Sequence, residues 1–267
     1  MKKILMATTA VALLATGAHA EDTKIGILLG FTGPLESLAN DMAAGAELAI
    51  SEVNESGMFL DGATVSSERG DTGCIDAGLA VASAERLITS DRVSGIVGGM
   101  CSGETTASLQ NVAIPNGIVM ISPSATSPAL STVEDNGLFF RTSPSDARQG
   151  QVMADILNDR GIKEVAVTYT NNDYGKGLAD SFETAFKESG GTVTINISHE
   201  DGKADYSAEV GALASAGGEV LIVAGYVDQG GAGIVNGLRH AGREIRRDRG
   251  WFFRSESKRL WRRPRQL

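Results

Sequence analysis

Short apolar runs alternate with longer stretches of helical period from Lys24 onwards. Ile25 to Leu29, Ala63 to Glu68, Val93 to Val97 and Ile118 to Ile121 are too short for helices and predict strands, with Leu138 to Arg141 as one more. Between them the 3.6-residue period predicts helices over about Ala39 to Asn54, Asp76 to Thr89 and Glu104 to Ala113, the first burying Met42, Ala46, Ala49, Ile50 and Val53. The pattern then restarts. Helices are predicted over about Ala147 to Asp159, burying Val152, Met153, Ile156 and Leu157, and over Gly175 to Glu188, burying Leu178, Phe182, Ala185 and Phe186. Strands at Val165 to Tyr169, Thr192 to Ile197 and Val220 to Ala224 alternate with these and with helices near Tyr206 to Ala216 and Gly231 to Ala241.

Strand–helix alternation of this kind builds a parallel sheet covered on both faces. The expected fold is α/β with two doubly wound parallel-sheet lobes, residues 21–143 and 144–242, and Thr142-Ser-Pro-Ser145 as the crossover. The last helical pattern stops without its next strand, so the second lobe is expected to be incomplete. Residues 243–267 carry ten Lys and Arg against three Asp and Glu, with both tryptophans, whereas residues 21–242 carry twelve against thirty. This basic segment lacks a convincing strand or helix period, as expected if the reading frame shifted near residue 243.

The chain begins with Lys2-Lys3, an apolar stretch from Ile4 to Ala15 and the small-x-small site Ala18-His19-Ala20, which together predict a secretory signal peptide over residues 1–20. No later segment approaches the roughly 20 apolar residues of a spanning helix, so a mature chain exported to the periplasm, without membrane insertion, is expected. An acidic body argues against nucleic acid as a partner. The two cysteines, Cys74 and Cys101, are an even count in an oxidising compartment, which favours a disulfide. With no C-x-x-C pair and only His199 and His240 in the exported part, a zinc site is not expected, nor does any motif ask for a cofactor.

Candidate chemistry lies in two segments, Gly98-Gly-Met-Cys-Ser102-Gly-Glu-Thr105 and Ile121-Ser-Pro-Ser124-Ala-Thr126-Ser-Pro128. Each puts small hydroxyl residues just past a predicted strand, at the crevice where open α/β sheets hold ligands, and hydroxyls with free backbone N–H groups suit a carboxylate. The same residues would also serve simply as caps of their own helices. A serine hydrolase is the competing reading of Ser102, but Met100 and Glu104 stand where G-x-S-x-G needs glycine, and surface roles are expected for both His199 and His240. Gly30-Phe-Thr-Gly33 lacks the dinucleotide pattern G-x-G-x-x-G. No enzymatic activity is expected.

Gly30-Phe-Thr-Gly-Pro34, Gly70-Asp-Thr-Gly-Cys74, Cys101-Ser102, Ile121-Ser-Pro-Ser-Ala-Thr126, Phe140-Arg-Thr-Ser-Pro144 and Asp173-Tyr-Gly175, in this order and spacing, make the chain resemble the periplasmic leucine/isoleucine/valine-binding proteins. These are type I periplasmic binding proteins, the solute receptors of branched-chain amino acid ABC transporters. The resemblance implies that Ser102 and Thr126 hold the ligand carboxylate through hydroxyl and N–H groups. It also implies that the Ser124-Ala125-Thr126 segment takes the ammonium on the Ser124 carbonyl, and that Tyr174 and Tyr226 close over the ligand. It further implies a membrane permease as partner. Leu38 stands where some members present an aromatic residue, and the family's acidic partner for the ammonium lies beyond the second-lobe tyrosine, where Asp228 is a candidate substitute. Receptors of the same fold that sense amides, urea or aromatic acids are the alternative.

Overall fold

The computed structural model describes residues 22–226, 230–240, 245–247 and 251–254. The predicted signal peptide, Asp228 and most of the basic segment lie outside the described residues.

Five strands, β1 (Thr23–Leu29), β2 (Val65–Asp71), β3 (Gly95–Gly98), β4 (Val119–Ser122) and β5 (Phe139–Arg141), form one parallel sheet in the order β2-β1-β3-β4-β5. Helices α1 (Glu36–Ser56) and α2 (Ala77–Thr89) cover it, together with a run that starts as α3 (Ser102–Ser108), widens to a π turn over Leu109–Ala113 and ends as α4 (Ile114–Asn116). The core between sheet and helices gathers Leu28, Leu87, Ile96, Leu109, Val112 and Met120, all buried. After β4 the chain makes only a 3₁₀ turn, Pro128–Ser131, with proline at its start.

The chain leaves β5 at Arg141 and enters α5 (Asp146–Asp159), whose N-cap Ser145 accepts from the Ala147 N–H. β6 (Glu164–Thr170), α6 (Asp173–Glu188), β7 (Thr192–His199), α7 (Ser207–Ala216), β8 (Val220–Ala224) and α8 (Ala232–His240) follow, with β7-β6-β8 parallel. Phe182 and Phe186 stack with centroids 5.4 Å apart and are fully buried between α6 and the sheet. Each such burial stabilises by roughly 1.5–3 kcal/mol.

Three expectations are corrected. The buried stripe of α1 is rotated: Ala39 and Ala43 face the core, Met42 and Ala46 flank it, and Ala49 and Val53 are exposed. Small residues let the helix lie close to β1. On α5 the buried positions are Gly150, Ala154 and Leu157, while Val152 and Ile156 are exposed. A methyl group on Gly150 would overlap the backbone of Ser181 and Phe182, so the α5–α6 approach needs glycine there. The basic segment also contains two strands, β9 (Ile245–Arg247) and β10 (Trp251–Arg254), with β10 antiparallel to β8. An open edge of β8 offers unpaired N–H and C=O groups, and Trp251-Phe-Phe suits a strand, so pairing prevails over poor periodicity.

One face of the first sheet is left bare near its edge. Val119 and Ile121 alternate with buried Met120, Ile121 is in register with Phe140, and all three apolar side chains are exposed, Phe140 to 54%. Contiguous apolar surface of this kind promotes association. The protein is expected to self-associate at micromolar concentration in sedimentation velocity, and an Ile121→Thr, Phe140→Ser variant to shift towards monomer; identical profiles for the two would refute this role for the stripe.

Candidate functional site

In the first sheet the chain reverses direction of winding between β1 and β3, and in the second between β6 and β8. Such switch points open a crevice at the carboxyl ends of the strands. The loops after β1, β3, β4, β6 and β8 line a single cleft of about 460 Å³ between the sheets. It contains Leu38, Ser102, Ser124, Thr126, Tyr174 and Tyr226 among its walls. Ala125 is not on the wall: its side chain is fully buried in the core below, and its N–H donates to Ser122 Oγ at 2.9 Å.

Polarity at the two central hydroxyls follows from their hydrogen bonds. Ser102 Oγ accepts from the N–H groups of both Thr126 (3.2 Å) and Ser127 (3.1 Å), so its own proton remains available as a donor. Thr126 does the reverse. Its hydroxyl donates to Asp146 Oδ2 at 2.7 Å, which leaves lone pairs as its remaining capacity. The Thr126 hydroxyl is thus given to Asp146 and its N–H to Ser102. Ser124 Oγ donates to the Met100 carbonyl at 2.6 Å and so braces the β3 loop.

Asp146, the first residue of α5, was not singled out by the sequence. It is 1% exposed, its Oδ1 has no hydrogen-bond partner among the described residues, and burial raises its pKa against the opposing effects of the Thr126 hydroxyl and the nearby Arg141 guanidinium. Arg141 in turn donates to the carbonyls of Ala125 (3.2 Å) and Ser127 (2.9 Å), which fixes the β4 loop from the β5 side. The cleft therefore rests on a buried carboxylate at the point where the chain passes from one sheet to the other.

Tyr174 and Tyr226 stack with centroids 4.9 Å apart and planes 20° from parallel. Tyr174 comes from the first turn of α6, where Asn172 Oδ1 accepts the Gly175 N–H at 2.9 Å. A side chain on Gly175 would collide with the Thr170 carbonyl, so the close approach of α6 to β6 depends on glycine. Burial pushes the Tyr174 phenol up to about 12 and that of Tyr226 higher still, so both stay neutral. Tyr226 packs against the first-sheet cluster containing Cys74, Met100 and Cys101. The remaining wall is largely aliphatic, with Leu35, Leu38, Met42 and Met100, and it also carries the Ser37 hydroxyl and the Gln149 amide of α5. Sequence periodicity placed Met42 on the buried stripe of α1, and only the tertiary structure makes it a cleft residue.

Cys74 and Cys101 form a disulfide with Cα atoms 5.3 Å apart, tying the loop after β2 to the residue before Ser102. His199 is a correction. It is buried, not superficial, with Nδ1 2.8 Å from Thr168 Oγ1 and Nε2 3.3 Å from Thr170 Oγ1. Burial lowers its pKa. The β7 end on which it sits is packed by Tyr206, whose ring meets the imidazole edge-on. The side chain of His240 is not among those described. No group of His, Cys, Asp and Glu among the described residues is arranged to hold a metal ion, and none of the described helices is long and apolar enough to cross a membrane.

Two doubly wound sheets that turn their switch points towards one shared cleft define a two-lobed α/β ligand-binding architecture. Consistent with it, the chain belongs to the periplasmic binding protein family, whose sequence model matches residues 22–247. It is 35% identical over 218 residues to a Leu/Ile/Val-binding protein homolog of Brucella melitensis, covering 81% of this chain and 58% of the relative. It is 31% identical to a leucine-, isoleucine-, valine-, threonine- and alanine-binding protein of Pseudomonas aeruginosa, covering 91% of this chain and 64% of that protein. Among solved structures, a leucine-binding protein from Thermotoga maritima superposes with a TM-score of 0.73 at 27% identity, covering 82% of this chain and 61% of that one. The chain thus spans about three fifths of the length of the relatives it matches.

Proposed function

We propose that this chain is the cleft-bearing part of an extracytoplasmic solute receptor that binds a small aliphatic α-amino acid and presents it to an ABC transporter permease. The observation that carries the reading is the opposed polarity of the two hydroxyls on the cleft wall: Ser102 has a proton to give and Thr126 has lone pairs to offer. A zwitterion needs one of each. Its carboxylate would take the Ser102 hydroxyl, and its ammonium would donate to Thr126, whose hydroxyl is polarised by Asp146. The ammonium's acidic partner in this reading is Asp146, in place of Asp228. Leu35, Leu38, Met42 and Met100 supply an aliphatic wall, which favours leucine, isoleucine and valine.

Binding requires no bond to be made or broken. Closure of the lobes over the ligand would provide the signal read by the permease. Two related structures that hold amino acids support the class: an ABC transporter substrate-binding protein of Desulfitobacterium hafniense with Leu, at 25% identity, and a branched-chain amino acid transporter substrate-binding protein of Streptococcus pneumoniae with isoleucine, at 28%. Structures holding aromatic acids are 20% identical and bear on the fold alone. The tyrosines here stack on one another, which leaves no slot between them for an aromatic ring.

Calorimetry with leucine, isoleucine, valine, a small amide and benzoate tests the reading. Heat is expected with the aliphatic amino acids, and Thr126→Ala should weaken binding by roughly 1.5–3 kcal/mol, about ten- to a hundredfold, as for a hydrogen bond to a charged group. No heat with any aliphatic amino acid, or an unchanged affinity in Thr126→Ala, would refute it.

A further inference from the structure

Glu104 stands in the first turn of α3, two residues after the serine of the cleft, and the function proposed above makes no use of it. It is 2% exposed. Its Oε1 accepts from the N–H of Met100 at 2.6 Å and from that of Cys101 at 2.8 Å. Both of those residues are buried, at 4% and 5% exposure, so without Glu104 two backbone donors would be left unpaired away from water. Gly99 has no side chain to obstruct it, since a methyl group there would overlap the carboxyl group. The loop from Gly99 to Cys101 is therefore held at four points: by Glu104 within its own helix, by the Cys74 disulfide, by Ser124 on the Met100 carbonyl and by Ser122 on the Gly99 carbonyl. The residue that emerges from this loop is Ser102.

We infer that Glu104 is a positioning residue of the binding site, fixing through the N–H groups of Met100 and Cys101 the loop that aims the Ser102 hydroxyl. The inference rests on the amino acid reading only for its effect on affinity, because the position of Ser102 is measurable in the free protein. The groups facing Glu104 are the Thr72 hydroxyl on the β2 side and the Tyr226 phenol across the cleft; Asp173, Glu200 and Asp201 lie around the adjoining cavity. Burial pushes the carboxyl up to about 8, so it is largely protonated at neutral pH and carries a buried negative charge above that. That charge would appear two residues from the serine assigned to the ligand carboxylate. Like charges in a water-poor cleft repel, so affinity should fall as pH rises through about 8.

The test uses the whole chain with two substitutions. Glu104→Gln keeps an oxygen for the two N–H groups and removes the titration; Glu104→Leu removes both. In the free protein, hydrogen exchange at the Thr126 and Ser127 amides, which are bonded to Ser102 Oγ, should be unchanged in Glu104→Gln and at least tenfold faster in Glu104→Leu. Unchanged protection in folded Glu104→Leu, or equally fast exchange in Glu104→Gln, overturns the inference whether or not any ligand binds. With leucine as the probe, the wild-type affinity should fall about three- to tenfold from pH 7 to pH 9 while that of Glu104→Gln stays nearly level. Parallel profiles overturn it as well. Absence of leucine binding in the wild type would instead refute the proposed function and leave the exchange result to decide on Glu104.

Discussion

Replacing Cys74 and Cys101 together by alanine is expected to lower stability by roughly 3 to 4 kcal/mol. The disulfide closes a loop with a sequence separation of 27, and in the chain-entropy account a loop of this size removes about that much free energy from the unfolded ensemble. For a chain of this length the loss corresponds to a melting temperature lower by about 10 °C. A local consequence accompanies the global one. Cys101 is the residue from which α3 starts, and the next residue is Ser102, so freeing it loosens the cleft as well as the fold. Thermal denaturation of the wild type with and without reductant, set beside the double alanine variant, measures the effect. Equal melting in all three would show that the link contributes nothing.

The strands and helices were legible because their burial is periodic. Leu178, Phe182, Ala185 and Phe186 recur at helical spacing and are all buried on α6. Where small residues make the contact the hydrophobic pattern misleads, as on α1, where Ala39 and Ala43 pack inward while Val53 is exposed, and on α5, where Gly150 displaces Val152. Hydropathy rewards bulk, but two elements approach most closely where bulk is absent. The basic segment fails differently. Its strands are decided by the free edge of β8, which no local window contains.

The site divides along the same line. Ser102, Ser124 and Thr126 were visible because hydroxyls just past apolar strands mark a crevice, and Tyr174 because it opens a helix after a strand. Donor and acceptor roles were not visible. They depend on which lone pair meets which N–H, and the bonds concerned join residues 20 to 25 positions apart, from Ser102 to Ser127 and from Thr126 to Asp146. Glu104 and Asp146 look in sequence like acidic residues in the first turn of a helix, where they favour the helix dipole. Only burial separates them from the exposed Asp173, which stands in the first turn of α6.

Asp146→Ala should be the most damaging single change to ligand binding. In the free protein the carboxylate is buried with one oxygen unpartnered, and burial holds its pKa above the ordinary carboxylate range. The sign of its effect on stability follows. A carboxyl whose folded pKa is raised favours the folded state at pH below its unfolded value, and that contribution is lost as pH rises through the folded value. The free protein thus carries a cost at neutral pH that an ammonium group held on Thr126 would offset. Removing one member of such a charge pair typically costs about 2–5 kcal/mol of binding, roughly thirty- to several-thousandfold, which exceeds the loss expected for the Thr126 hydroxyl alone. Asp146→Asn should retain the hydrogen bond from Thr126 but lose the charge, and fall between the wild type and alanine. Because the ammonium favours the ionised carboxylate, binding at pH values where part of the free protein still holds that proton should release it, seen in calorimetry as a dependence of the observed heat on the buffer's ionisation enthalpy. Leucine binding by Asp146→Ala within threefold of the wild type, with no proton release in the wild type, would show that the ammonium is held elsewhere.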